Sequence, residues 1–146
     1  MKILWVLMAF LPLTAQAAPE EKVVALGGDV TEIVFALGAQ SSLVARDSTS
    51  QWPAAATALP DVGYLRQLNA EGILATRPTL VLASAQAQPS LALEQLKQSQ
   101  VNVVTVPAGN ALSVIDEKVR VIAQATHRQA QGEALRQSLR QALAEL

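Results

Sequence analysis

The 146-residue sequence contains no cysteine and a single histidine, His127. Without cysteine the chain forms no disulfide bond, iron–sulfur cluster or cysteine nucleophile, and one histidine cannot supply the pair of imidazoles that many zinc sites use. Aromatic residues account for only 3% of the chain, so Ala, Leu and Val must fill the hydrophobic core. Side chains able to ligate a metal are therefore few, and the single tyrosine, Tyr64, is one of them.

The first seventeen residues have the pattern of a secretory signal peptide. Lys2 gives a positive start, residues 3–13 are almost wholly apolar, and residues 15–17 form an Ala-x-Ala cleavage pattern. The apolar run is too short to span a bilayer, so it is not expected to anchor the protein in a membrane. With cleavage after Ala17, the pattern predicts an exported protein. Loss of Lys2 reduces the basic residues from 11 to 10 against 12 acidic residues, a net charge of −2. Such a balance gives no reason to expect nucleic acid as a partner.

Short apolar runs alternate with helical patterns along the rest of the chain. Val30, Ile33, Val34 and Leu37 fall on one face of a helix that Asp29 is predicted to cap. Strands are predicted over 22–26, 43–45, 79–83 and 101–106, and helices over 29–37, 69–76, 89–98, 112–122 and from about 129 to 146. Strands that alternate with helices predict an α/β fold with a mainly parallel sheet flanked by helices.

Two segments are candidates for a ligand site, because ligands of parallel sheets bind outside the carboxyl ends of the strands. The first, Gly27-Gly28-Asp29, lacks a full G-x-G-x-x-G pattern and indicates a dinucleotide site only weakly. The second contains Tyr64, between an extended segment and a helix. A phenolate oxygen suits ferric iron, and tyrosine is an axial ligand in some haem proteins; otherwise such a tyrosine is a packing residue with its hydroxyl at the surface. Trp52 and Pro53 either line the wall of the cleft that would hold the ligand or pack in the core.

Sequence motifs for catalysis are missing or weak. The chain has no G-x-S-x-G motif, and nothing places a serine and an aspartate beside His127 to form a triad. The acidic pairs Glu20-Glu21 and Asp116-Glu117 are predicted to be solvated surface groups. An enzyme is therefore not expected, and a small exported Rossmann-like enzyme or nucleotide binder stays open as the alternative from another functional class.

Two stretches of the sequence carry a resemblance to a known family. Residues 23–33, VVALGGDVTEI, look like the opening strand and helix of periplasmic binding proteins that serve importers of iron compounds and vitamin B12. Residues 61–74, DVGYLRQLNAEGIL, followed by RPTLV, more closely resemble the haemin-binding branch of that family. The resemblance covers the first half of a family member. After the signal peptide at 1–17, it implies an N-terminal three-layer α/β lobe at 18–128 and the start of a long inter-lobe helix at 129–146, with the second lobe absent.

The resemblance also implies roles for three side chains. Tyr64 matches the tyrosine that supplies the axial oxygen to haem iron. Arg66 is expected to stabilise that phenolate or to pair with a haem propionate; otherwise it is a solvated charge. Glu71 matches a first-lobe glutamate that pairs with an arginine of the membrane permease; it is equally consistent with a carboxylate stabilised by a helix dipole. The implied protein is a periplasmic receptor that delivers haem to an inner-membrane ABC importer, with a ferric siderophore or cobalamin as the alternative ligand.

Overall fold

The computed structural model describes residues 20–146, so the signal-peptide prediction lies outside the described residues. The strands are β1 (Val23–Leu26), β2 (Leu43–Arg46), β3 (Leu80–Ser84) and β4 (Asn102–Val106), and the helices are α1 (Gly28–Ala36), α2 (Ala70–Leu74), α3 (Leu91–Gln98), α4 (Leu112–Ala125) and α5 (Gln129–Ala144). Every predicted strand and helix is present, although α2 is shorter than predicted. None of the helices in residues 20–146 is long and apolar enough to span a bilayer.

The four strands form one parallel sheet in the order β2-β1-β3-β4. β1 lies between β2 and β3, and the register pairs Val23 with Leu80 and Leu80 with Asn102. All residues of β1 and β3 are buried, as expected for central strands covered on both faces. The predicted α/β fold with a parallel sheet is therefore confirmed.

Side chains of β1 and β3 alternate between two separate cores, because successive residues of a strand point to opposite faces of the sheet. On one face the strands meet α1 and α4, and on the other they meet α2 and α3. The first core contains Val23, Ala25, Leu80 and Leu82 with Val30, Val34, Val119 and Ile122, and the second contains Val24, Leu26, Val81 and Ala83 with Ile73, Leu93 and Leu96. The described residues therefore form three layers.

The start of α1 differs from its prediction. Gly27, and not Asp29, is the N-cap residue; it has φ +122°, and a Cβ atom there would lie 2.9 Å from the Cβ atom of Ser84. Both the turn and the close approach require glycine. Asp29 lies in the first turn of the helix instead, where its Oδ2 accepts a 2.7 Å hydrogen bond from Nζ of the buried Lys118 on α4. The aspartate therefore joins α1 to α4.

Helix α5 begins at Gln129, as predicted, and packs closely against α4. A Cβ atom on Gly132 would lie 2.5 Å from the Cβ atom of Ala123. The two helices can therefore cross at this distance only because Gly132 has no side chain.

Asp116 and Glu117, predicted to be solvated surface groups, are both partly exposed, and each is also bonded to arginine. Arg136 of α5 donates two hydrogen bonds to the Asp116 carboxylate, at 2.8 and 2.9 Å, and Arg140 donates another at 3.2 Å. These contacts, the hydrogen bonds from Arg136 above all, hold the pKa of Asp116 below its usual value. Glu117 is bonded within α4 to Arg120. Asp116 thus helps to hold α5 on α4, through a pairing of helices that the local sequence does not reveal.

Candidate ligand-binding site

All four strands end at the same edge of the sheet (the carboxyl edge), where parallel sheets usually bind ligands. Residues 61–63 also reach this edge, beside the end of β2. The backbone N–H of Val62 donates to the carbonyl of Arg46 at 2.9 Å, and Arg46 pairs with Asp61 in an isolated parallel bridge. The structure therefore brings the Tyr64 segment to the edge where β1 leads into Gly27-Gly28-Asp29.

Hydrogen bonds hold the turn that precedes Tyr64. Oδ1 of Asp61 accepts from the Gly63 N–H at 2.8 Å and from the Ser48 hydroxyl at 2.9 Å, and the Ser48 N–H donates to the Gly63 carbonyl at 2.9 Å. Gly63 has φ +107°, a conformation that favours glycine. These hydrogen bonds therefore join the turn to the loop after β2, and they fix the position of the backbone directly before Tyr64.

The carboxylate of Asp61 is the acceptor that joins these two loops. Its pKa is lowered chiefly by the hydrogen bond from the Gly63 N–H, and further by the Ser48 hydroxyl and the nearby Arg46 guanidinium. The Nη1 atom of Arg46 lies 3.6 Å from Oδ2 of Asp61. The acceptor is therefore ionised at neutral pH, the form that accepts hydrogen bonds most strongly.

Tyr64 is half-exposed at the carboxyl edge. Its side chain has 47% of its surface exposed, whereas the next residue, Leu65, is buried in the core between the sheet and α2 and α3. A turn follows in which the Gln67 N–H donates to the Tyr64 carbonyl at 2.9 Å. Leu65 thus anchors the segment, while its neighbour Tyr64 is partly open to solvent.

Arg66 and Glu71 are both exposed. Within residues 20–146 the Arg66 guanidinium forms no ion pair, so its charge is available to an anionic group. Glu71 lies in the first turn of α2, where the Asn69 side chain accepts hydrogen bonds from the N–H groups of Glu71 and Gly72 at 2.8 and 3.4 Å. Asn69 is therefore the N-cap of α2, as predicted. The helix dipole stabilises the negative charge of the exposed Glu71 carboxylate.

A buried aspartate that the sequence did not single out organises the same edge. Asp47 is fully buried directly after β2, and its carboxylate accepts four hydrogen bonds: from the Gly27 N–H at 2.9 Å, the Ser50 hydroxyl at 2.6 Å, and the Thr49 hydroxyl and N–H at 2.6 and 3.2 Å. Ser50 also lies 2.7 Å from the Thr31 hydroxyl. The run Asp-Ser-Thr-Ser at 47–50, directly after a strand, indicates a turn held by hydrogen bonds from its own side chains. It does not indicate the contact of this turn with Gly27.

Trp52 lies in the same loop after β2 and is 68% exposed. Of the two sequence-based interpretations of Trp52, packing in the core is therefore excluded. Trp52 follows the end of β2 by six residues, and its interpretation as a wall of a ligand cleft stays a prediction.

A metal held only by protein side chains has no evident site in residues 20–146. No group of three or more histidine, cysteine, aspartate or glutamate side chains is arranged there to hold a metal ion. His127, which follows α4 with φ +58°, lies beside Glu20, Glu21 and Val23 at the opposite, amino-terminal edge of the sheet.

A separate apolar groove of about 760 Å³ lies between the start of α4 and the second half of α5. Its apolar lining residues are Leu112, Ile115, Leu139, Ala142, Leu143 and Leu146. None of the three predicted site residues, Tyr64, Arg66 and Glu71, lines this groove, so it is separate from the predicted ligand site.

Comparison with known proteins gives a family match over most of the chain. A family profile described as "Periplasmic binding protein" matches residues 23–146. A vitamin B12-binding protein of Vibrio vulnificus strain YJ016 is 37% identical over 98 residues, which are 67% of this chain and 36% of that protein. The chain thus spans well under half of the length of this curated relative.

Solved structures give a closely similar fold. A periplasmic haem-binding protein from Pseudomonas aeruginosa is 37% identical with a TM-score of 0.81, over 86% of this chain and 45% of that one. The periplasmic haem-binding protein HutB of Vibrio cholerae is 35% identical with a TM-score of 0.81, over 87% of this chain and 49% of that one. These matches too span about half of the other chain.

Proposed function

The chain belongs to the periplasmic binding protein family, and we propose that it is the N-terminal lobe of a periplasmic receptor that delivers haem to an inner-membrane ABC importer. One observation carries the choice of ligand: Tyr64, a side chain able to ligate ferric iron, is half-exposed on a hydrogen-bonded turn at the carboxyl edge. The role is binding and delivery and not catalysis, in keeping with similar proteins that are named for what they bind.

Each proposed site residue contributes a different interaction. The Tyr64 phenolate ligates the iron from one side of the macrocycle. Arg66, two residues along the chain and without an ion-pair partner in the described residues, pairs with a propionate or stabilises the phenolate by its charge.

Cobalamin is the second candidate, because the curated relative from Vibrio vulnificus is named as a vitamin B12-binding protein. Titration of the exported protein with ferric haem and, separately, with cyanocobalamin distinguishes the two. We expect a saturable shift of the haem Soret band and weaker binding of cyanocobalamin, whose cobalt already carries its axial ligands. Tighter binding of cyanocobalamin than of haem would contradict the proposed ligand.

We also propose that Glu71 contacts a basic group of the permease. Its carboxylate is exposed at the first turn of α2, close along the chain to the ligand segment. Glu71→Gln keeps the size of the side chain and the Asn69 cap, and we expect it to reduce haem-dependent stimulation of the transporter while leaving the haem titration unchanged. Glu94→Gln, an equally exposed acidic residue in the first turn of α3, is the matched control. Equal loss of haem binding and transport in Glu71→Gln would place the residue in the ligand site instead.

A further inference from the structure

Trp52 is the most exposed aromatic side chain in the part of the chain that the structure describes. An indole with 68% of its surface in water gains nothing from the core, and large apolar side chains left exposed together often mark a binding surface. The cleavage pattern at Ala17 would remove Trp5, so Trp52 is the single tryptophan of residues 18–146.

The loops that carry Trp52 and Tyr64 are bonded to each other. The Ser48 N–H donates to the Gly63 carbonyl at 2.9 Å, and the Ser48 hydroxyl donates to Asp61 at 2.9 Å. Trp52 follows Ser48 by four residues, and Tyr64 follows Gly63 directly. Both aromatic residues are therefore exposed, on two loops that are hydrogen-bonded to each other at the carboxyl edge.

Hydrogen bonds to a buried carboxylate also hold the loop that carries Trp52. The buried Asp47 carboxylate binds the hydroxyls of Thr49 and Ser50 at 2.6 Å each, and the Gln51 N–H donates to the Thr49 carbonyl at 3.1 Å. A loop fixed in this way presents its indole without a large loss of conformational entropy on binding.

We infer that Trp52 and Tyr64 act together on one face of a planar conjugated macrocycle. Tyr64 provides the oxygen for the metal, and the Trp52 indole lies against the periphery of the ring on that same face, because both side chains come from one edge of one lobe. The inference rests on the proposed function and adds that the ligand must have a flat ring for the Trp52 indole to contact. A corrin carries amide side chains and axial groups out of its plane, so it offers the indole less flat surface; Trp52 therefore selects haem over cobalamin.

The test compares haem and cyanocobalamin binding by Trp52 variants of the exported protein. Trp52→Ala is expected to weaken haem binding by about tenfold, the scale of a lost aromatic contact, and to change cyanocobalamin binding much less. Trp52→Phe keeps an aromatic face and should stay close to the unchanged protein, whereas Trp52→Leu keeps apolar bulk without that face and should resemble Trp52→Ala. The visible spectrum of bound haem should be the same in all variants, since Tyr64 is intact.

Leu143→Ala is the matched control for haem adsorbed on the α4–α5 groove, because Leu143 is 40% exposed there; it should not change haem affinity. Unchanged haem affinity in Trp52→Ala, with Tyr64→Phe still impaired, would overturn this inference alone. Unchanged affinity and spectrum in Tyr64→Phe would overturn the proposed function itself. Equal losses for haem and cyanocobalamin in Trp52→Ala would overturn the role in selection. Circular dichroism of Trp52→Ala, Trp52→Leu and Trp52→Phe checks that each variant is folded.

Discussion

Replacement of Tyr64 by phenylalanine is expected to weaken the binding of ferric haem by about a hundredfold or more. The substitution removes the only oxygen of the side chain and keeps the ring, so packing beside Leu65 is preserved. Loss of a residue that merely orients a metal ligand already weakens metal binding by roughly 10- to 100-fold, and loss of the ligand itself should have at least that effect. Titration of the Soret band measures the change.

Two variants separate coordination from charge. Tyr64→Phe should also lose the charge-transfer absorption of a phenolate bound to ferric iron, whereas Arg66→Gln should retain that absorption and weaken binding less. The free energy of unfolding should be nearly the same in Tyr64→Phe, because the side chain is 47% exposed and its hydroxyl forms no hydrogen bond within residues 20–146. An unaltered haem spectrum in Tyr64→Phe would rule out coordination by this residue.

Replacement of Asp47 by alanine is expected to lower the free energy of unfolding by about 3 kcal/mol or more. The change leaves the buried Gly27 N–H without its acceptor, and an unsatisfied buried group costs roughly 1–3 kcal/mol. It also removes the hydrogen bonds that the carboxylate accepts from Thr49 and Ser50, and a hydrogen bond to a charged group is worth about 1.5–3 kcal/mol. The loop that carries Trp52 should then exchange its amide protons faster. Urea denaturation measures the first effect and hydrogen exchange measures the second.

Asp47→Asn and Glu94→Ala are the comparisons for this effect. Asparagine keeps one acceptor oxygen but places an NH2 group against donors, so we expect a smaller loss than for alanine. Glu94 is exposed, and within residues 20–146 its one ion pair is with Lys97 at 3.2 Å, a contact worth at most about 1 kcal/mol. If Asp47→Ala were no more destabilising than Glu94→Ala, the buried network would not be what fixes this edge of the sheet.

The fold was largely predictable because its signals are local. The continuous apolar runs at 23–26 and 80–83 identify buried strands, and the spacing of Val30, Val34 and Leu37 identifies the face of α1 that meets the sheet. The strand order could not be read from these patterns, since pairing of β1 with both β2 and β3 depends on contacts between distant segments.

The site was predictable only in part, for the same physical reason. The position of Tyr64 followed from the order of strands and helices and from the resemblance to a family. The N-cap of α1 was assigned wrongly to Asp29 because Gly27 takes that position through a turn bonded to Asp47, 20 residues away. The pairing of Asp29 with Lys118 joins residues 89 positions apart, and no local pattern encodes such a contact.

We propose that Tyr64 holds haem at the carboxyl edge, and a crystal structure of the protein with ferric haem would test this proposal. We expect the Tyr64 Oη atom to be coordinated to the iron and the Trp52 indole to contact the same face of the porphyrin. Haem bound in the α4–α5 groove, with the Tyr64 hydroxyl not coordinated, would contradict it.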